Sequence, residues 1–115
     1  MKRFFKKLAG YFVTIYANKL YAKAVKQADK SHSELGERIY VVSSWGDISH
    51  LVVLNRDKFR DMKRALNLQG QKISDLMEGA WYYTPDRSGK HGLTNKEKEI
   101  RRLAFVRHIL LKAKL

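Results

Sequence analysis

Cysteine is absent from the 115 residues. Disulfides, thiolate zinc sites and thiol catalysis are therefore excluded, while compartment stays open because there is no thiol to keep reduced. Pro85 is the sole proline, and it falls in a turn-rich segment, 84–92, that also holds Gly89 and Gly92. Long apolar runs are missing as well. The uncharged stretch 8–18 is far short of the ~20 residues a membrane-spanning helix needs. Acidic residues are scarce, 11 against 24 Lys and Arg, which leaves a net charge of +13.

Catalytic constellations are also wanting. His32, His50, His91 and His108 are scattered, with no pair one helical turn apart, so no metal site is expected. The carboxylates form no obvious catalytic pair, and Ser43-Ser44 does not sit in the full Gly-x-Ser-x-Gly pattern of a nucleophile elbow. The 84–92 loop carries Arg87, Lys90 and His91 but not the ordered glycine and lysine spacing that cradles a nucleotide. The expectation is a protein that is not an enzyme and has no cofactor.

What is present is charge, unevenly placed. Residues 1–30 carry eight Lys and Arg against Asp29, a net of +7; residues 87–115 carry nine against Glu97 and Glu99, again +7; the middle is close to neutral at −1. A surplus this large repels itself unless an anion relieves it. A polyanionic partner is therefore expected, either nucleic acid or an acidic protein surface.

The pattern along the chain predicts an α+β fold in a single domain, 1–115. Phe5, Leu8, Phe12, Ile15, Tyr16, Leu20, Ala24 and Ala28 recur at helical steps, and Gly36 follows as a stop, so the first helix runs from Lys2 to Leu35. Lys19, Lys23, Lys26 and Lys30 line it. The period then switches to two over 38–43 and 49–54, with turn residues at 44–47, which predicts a β-hairpin. Ile39, Val41, Leu51 and Val53 face one side and Tyr40, Val42, Val52 and Leu54 the other; both sets are apolar, so both faces should be covered or another strand added.

Asn55 or Asp57 caps a further helix with Phe59, Met62 and Leu66 along its apolar edge. A Gly-containing turn follows over 67–72, then a short helix capped by Ser74 and ended at Gly79. The outline is that of a helix-turn-helix, but Asp75 to Glu78 is acidic and about one turn long, whereas a recognition helix is longer and basic. Residues 80–84 read as a third strand. Thr94 and Glu97 form a capping box that opens the last helix, 96–114. On that helix Ile100, Leu103, Ala104, Leu110 and Leu111 are expected to face the core, leaving Phe105 and Ile109 outside among basic residues. The two terminal helices should pack on one face of the small antiparallel sheet. Trp45, Trp81, Tyr82 and Tyr83 could stack bases, Trp45 best of all, although rings in a small sheet usually belong to its core.

Residues 20–65 show a further pattern: Ala28-Asp29-x-x-His32, Gly36, Tyr40-Val41-Val42, Val53, then Arg56-x-x-Phe59-x-x-x-Lys63. It resembles small basic proteins of phages and mobile elements of gut bacteria. That resemblance implies a phage-type accessory or virion component. It brings no assigned activity and no functional residues.

The functional expectation is a basic binding and assembly protein that contacts nucleic acid largely without regard to sequence. The candidate phosphate ligands are Lys19, Lys23 and Lys26 on the first helix, Arg60, Lys63 and Arg64 on the middle one, and Lys98, Arg101, Arg102 and Lys112 on the last. An alternative is docking to an acidic protein, or self-assembly, through Leu8, Phe12, Phe105 and Ile109, with residues 1–18 engaging the partner. A second alternative is a membrane surface, met by Lys2, Arg3, Lys6 and Lys7 with Phe4, Phe5 and Phe12 inserted. The start of the chain imitates a signal peptide, but Gly10, Tyr11, Thr14 and Tyr16 weaken its apolar core and the helical period continues past it. The expected location is cytoplasmic or virion-associated.

Overall fold

The first helix ends where its glycine dictates. Gly36 sits at φ +69° and its N–H donates to the carbonyl of His32 at 2.8 Å, a left-handed cap that only glycine reaches without strain. The computed structural model describes residues 2–43, 50–65 and 73–112, with side chains described over 9–43, 50–64 and 76–112. The predicted turns at 44–47 and 67–72, and Leu66 of the expected apolar edge, lie outside the described residues.

Seven elements follow one another: α1 (Lys2–Leu35), β1 (Tyr40–Ser43), β2 (Leu51–Leu54), α2 (Arg56–Ala65), α3 (Ile73–Gly79), β3 (Tyr82–Tyr83) and α4 (Asn95–Lys112). This is the expected α+β arrangement. The strands form one antiparallel sheet in the order β2-β1-β3. Tyr40 pairs with Leu54 and with Tyr83, and Val41 with Val53 and with Tyr82. At 34 residues α1 is about 51 Å long and sets the longest dimension of the molecule, 53 Å.

Both faces of the sheet are covered, as the two apolar strand faces require. Ile39, Val41 and Tyr82 pack with α1 and α4, where Ala17, Tyr21, Ala24, Ala28, Phe105, Val106 and Ile109 are buried. Tyr40, Val42 and Leu54 pack on the other face with Phe59 of α2 and Leu76 of α3. The sheet is the middle of three layers.

Local chemistry fixes the ends. Asn55 is the cap of α2, its Oδ1 accepting from the N–H of Lys58 at 2.8 Å; Asp57 lies inside the helix. α3 begins at Ile73, one residue before Ser74, so Ser74 is not its cap. The capping box of α4 is formed as predicted: Glu97 N–H donates to Thr94 Oγ1 at 3.1 Å and Thr94 N–H to Glu97 Oε1 at 3.2 Å. Thr84 is wholly buried, and its hydroxyl accepts the N–H of Ile39 at 2.9 Å while its own N–H donates to the Ile39 carbonyl. A side chain thus extends the β1–β3 ladder by one step.

Two helix faces differ from the sequence expectation. On α1 the inward residues are Ala17, Tyr21, Ala24 and Ala28, with Val13, Leu20 and Val25 partly covered, whereas Phe12 and Tyr16 are exposed. Steps of four residues overshoot a helical turn by about 40°, so the series 12, 16, 20, 24, 28 winds about 160° around the cylinder. Its two ends cannot share a face. On α4 the prediction is largely inverted, although Leu110 packs against the core as expected. Phe105 and Ile109 are core residues, at 0% and 5% exposure, while Ile100, Leu103 and Leu111 are at 57%, 53% and 72%. The Phe105 ring lies between Tyr21 and Trp81, with centroids 5.7 and 5.4 Å away. Filling that slot with a large aromatic side chain contributes about 1.5–3 kcal/mol.

Candidate polyanion-binding surface

The basic residues singled out in the sequence separate into those that serve the fold and those that do not. Arg101 is half-buried; its Nη1 donates to the carbonyls of Met77 and Ala80, and its guanidinium lies 5.3 Å from the Tyr83 ring centre. Arg102 donates to Asn18 Oδ1 on α1 and pairs with Glu99 on its own helix. That contact holds the Glu99 carboxyl below the usual carboxylate range and pushes the guanidinium up. Lys63 sits over the Phe59 ring at 5.7 Å and Lys98 over the Tyr82 ring at 5.9 Å. Arg101 and Arg102 thus commit their guanidinium heads to polar groups of the fold. Their positive charge does not mark a solvent face.

Four lysines have no such employment. Lys19, Lys23, Lys26 and Lys30 are exposed, and among the described residues none makes a hydrogen bond or ion pair. They stand on the side of α1 turned away from Ala17, Tyr21, Ala24 and Ala28. At 1.5 Å per residue the row is about 16 Å long. Phe12 and Tyr16 continue it toward the N-terminus, 60% and 57% exposed, with Tyr11 beside them at 63%.

The remaining candidates do not join this row. Arg60 and Arg64 are exposed on α2, which lies on the opposite face of the sheet. Lys112 is exposed near the end of α4. Phe105 and Ile109, expected to enter a partner, are in the core and unavailable. The side chain of Leu8, like those of Phe4, Phe5 and Trp45, lies outside the described residues. Trp81 and Tyr82 belong to the fold: the Trp81 indole N–H donates to Ser43 Oγ at 2.8 Å, and Tyr82 is buried.

The glycine-containing loop is not an anion cradle. Asp86 Oδ1 already takes the N–H groups of Ser88 and Lys90, each at 3.0 Å, and the Ser88 hydroxyl. These bonds, the hydroxyl foremost, hold the Asp86 carboxyl below its ordinary pKa. Arg38 then pins the loop, donating to the carbonyls of Thr84 and His91 at 3.2 and 2.8 Å. A neighbouring cleft brings Arg38, Arg56 and Arg87 together with Glu37, Asp57 and Asp86; the signs balance, so it has no preference for an anion.

His32 Nδ1 lies 2.7 Å from the Glu37 carbonyl oxygen, a contact that fixes the ring at the C-terminal end of α1. Among the described residues, no group of three His, Asp or Glu could hold a metal, and no helix is long and apolar enough to cross a membrane.

Sequence reasoning missed Tyr11 and Tyr16 as surface aromatics and left Lys30 out of the phosphate-contacting set. The signal was available: positions 12, 16, 19, 23, 26 and 30 alternate steps of four and three, which keeps them within one narrow sector of a helix. No protein-family model, curated protein or solved structure matches this chain, so the surface has to be interpreted from its own chemistry.

Proposed function

We propose that this chain is a non-enzymatic nucleic-acid-binding protein whose contact surface is the outer face of α1. The observation that carries the reading is the row Lys19, Lys23, Lys26 and Lys30: four exposed ammonium groups on one side of a helix, without internal partners among the described residues. A nucleic-acid strand offers one phosphate per ~3.4 Å, so a row of about 16 Å faces roughly five of them. Such contacts read charge and not sequence. A phage-type accessory or virion component is the setting that the sequence resemblance suggests.

The test is the salt dependence of binding to a labelled duplex. Four phosphate contacts give log K against log salt a slope of about −3.6. Replacing all four lysines with glutamine should flatten that slope and cut affinity at low salt. No measurable binding of DNA or RNA at low salt, or binding indifferent to the four substitutions, would refute the reading.

A second reading, assembly with another protein, is favoured by α4. Ile100, Leu103 and Leu111 stand 57%, 53% and 72% exposed on one side of the helix, an apolar stripe of the kind that partners cover. Light scattering of the full chain with Leu103 intact and replaced by Asp distinguishes it: a concentration-dependent oligomer lost in the variant supports assembly, and a monomer in both cases counts against self-association.

A further inference from the structure

The lysine row does not account for the aromatic half of the same face. Phe12 and Tyr16 precede Lys19, Lys23, Lys26 and Lys30 in one unbroken stripe, and Tyr11 packs edge-on against Phe12 with ring centroids 6.0 Å apart. All three rings are more than half exposed. The stripe from Phe12 to Lys30 runs about 27 Å along α1, with flat rings at one end and ammonium groups at the other.

We infer that the strand held on α1 is single-stranded: unpaired bases stack on Phe12 and Tyr16, and the phosphates that follow lie along Lys19, Lys23, Lys26 and Lys30. This rests on the nucleic-acid reading given above and narrows it. Aromatic platforms interleaved with cationic grooves are how unpaired strands are bound, because every base presents a π-face whatever its identity. A duplex hides those faces inside its stack and would use the lysines alone. The stripe is long enough for about eight nucleotides at the spacing of a stacked strand.

On this outer face of α1, charge and apolarity are separated along the axis, not around it. A helix lying flat in a lipid surface needs the opposite arrangement, an apolar sector flanked by cations. Inserting the Phe12 and Tyr16 side of α1 would drag Lys19 and Lys23, which share that side, into the acyl region. A strand laid lengthwise meets rings first and ammonium groups next without that cost.

The experiment compares the full chain with two double variants, Phe12→Ala/Tyr16→Ala and Lys19→Gln/Lys23→Gln, all at exposed positions and checked for an unchanged circular dichroism spectrum. Binding is read by fluorescence anisotropy at low salt, using an oligothymidylate of about 20 nucleotides and a duplex of the same length. Loss of stacking on two rings should weaken the single strand about tenfold or more and leave the duplex within about twofold. The lysine variant should weaken both. If the parent chain prefers the duplex, or if the ring variant weakens both alike or neither, the single-strand inference is wrong while nucleic-acid binding stands. If neither probe binds, both fail. Flotation with phosphatidylserine vesicles is the remaining arm: vesicle binding lost in the ring variant, together with unaltered strand binding, would overturn the inference in favour of a lipid surface.

Discussion

The hydroxyl of Tyr82 donates to Oδ1 of Asp29 across 2.5 Å, tying the edge strand β3 to the first helix. The phenol is buried, and burial pushes its pKa well above the ordinary 10.0, reinforced by the Asp29 carboxylate. Tyr21, whose hydroxyl donates to the Trp81 carbonyl at 2.7 Å, is pushed by burial to about 12 against the opposing pull of Arg101 and Arg102.

A phenol whose folded pKa lies above its unfolded one contributes stability that is complete below pH ~10 and lost as pH rises toward the folded value. Lysines lose their charge in the same range, which relieves self-repulsion and works the other way. The readout is therefore the difference between variants. The urea midpoint of the wild-type chain should fall relative to that of Tyr82→Phe as pH is raised from 9 to 11. Parallel curves would mean that the phenol titrates alike in both states.

Phe105 and Leu103 give α4 an internal control. Phe105 is fully buried between Tyr21 and Trp81, while Leu103 stands half exposed on the far side. Phe105→Ala should cost about 3–5 kcal/mol, enough to unfold much of the population of a chain this small. Leu103→Ala should fall within about 0.5 kcal/mol of wild type. Chemical denaturation of both variants checks this, and a reversal of the two values would turn α4 over.

The contrast between α1 and α4 shows what was legible in the sequence. Element order, the Gly36 stop, the Thr94–Glu97 box and the two-sided hairpin were readable because each is local: a cap, a glycine or a period of two acts within a few residues. Facing is not local. Ile100, Leu103 and Leu111 form as good a helical stripe as Phe105, Val106 and Ile109, and only the slot between Tyr21 and Trp81 decides between them. Arg101 and Arg102 misled because cations were taken as marks of solvent, although their heads end on Met77, Ala80 and Asn18. The lysine row was half legible. Lys19, Lys23 and Lys26 were found by charge, and their alignment with Phe12 and Tyr16 needed the angular position of each residue.

Thr84 tests whether a side chain can complete a sheet. Its Oγ1 takes the Ile39 N–H in a fully buried setting. Thr84→Val preserves shape but strands that donor away from water, which costs about 1–3 kcal/mol. Thr84→Ser, which keeps the hydroxyl, should recover most of the loss. The urea midpoints of the two variants should therefore separate clearly; equal midpoints would assign the effect to the methyl group and not to the hydrogen bond.

His108 offers a change in the stabilising direction. Its Nε2 is buried without a hydrogen-bond partner among the described residues, while its ring packs against Trp81 with centroids 5.4 Å apart. An orphaned buried polar atom carries its desolvation penalty with nothing in return, about 1–3 kcal/mol, and an apolar replacement of similar shape removes that penalty. His108→Leu should therefore raise the unfolding free energy by about 1 kcal/mol, equivalent to several degrees in Tm for a domain of this size. Some of the gain is offset by the lost ring contact with Trp81, which places the expectation at the low end of the range. A fall in Tm would mean that the imidazole contributes more, through its contact with Trp81 or a water held at Nε2, than its desolvation costs.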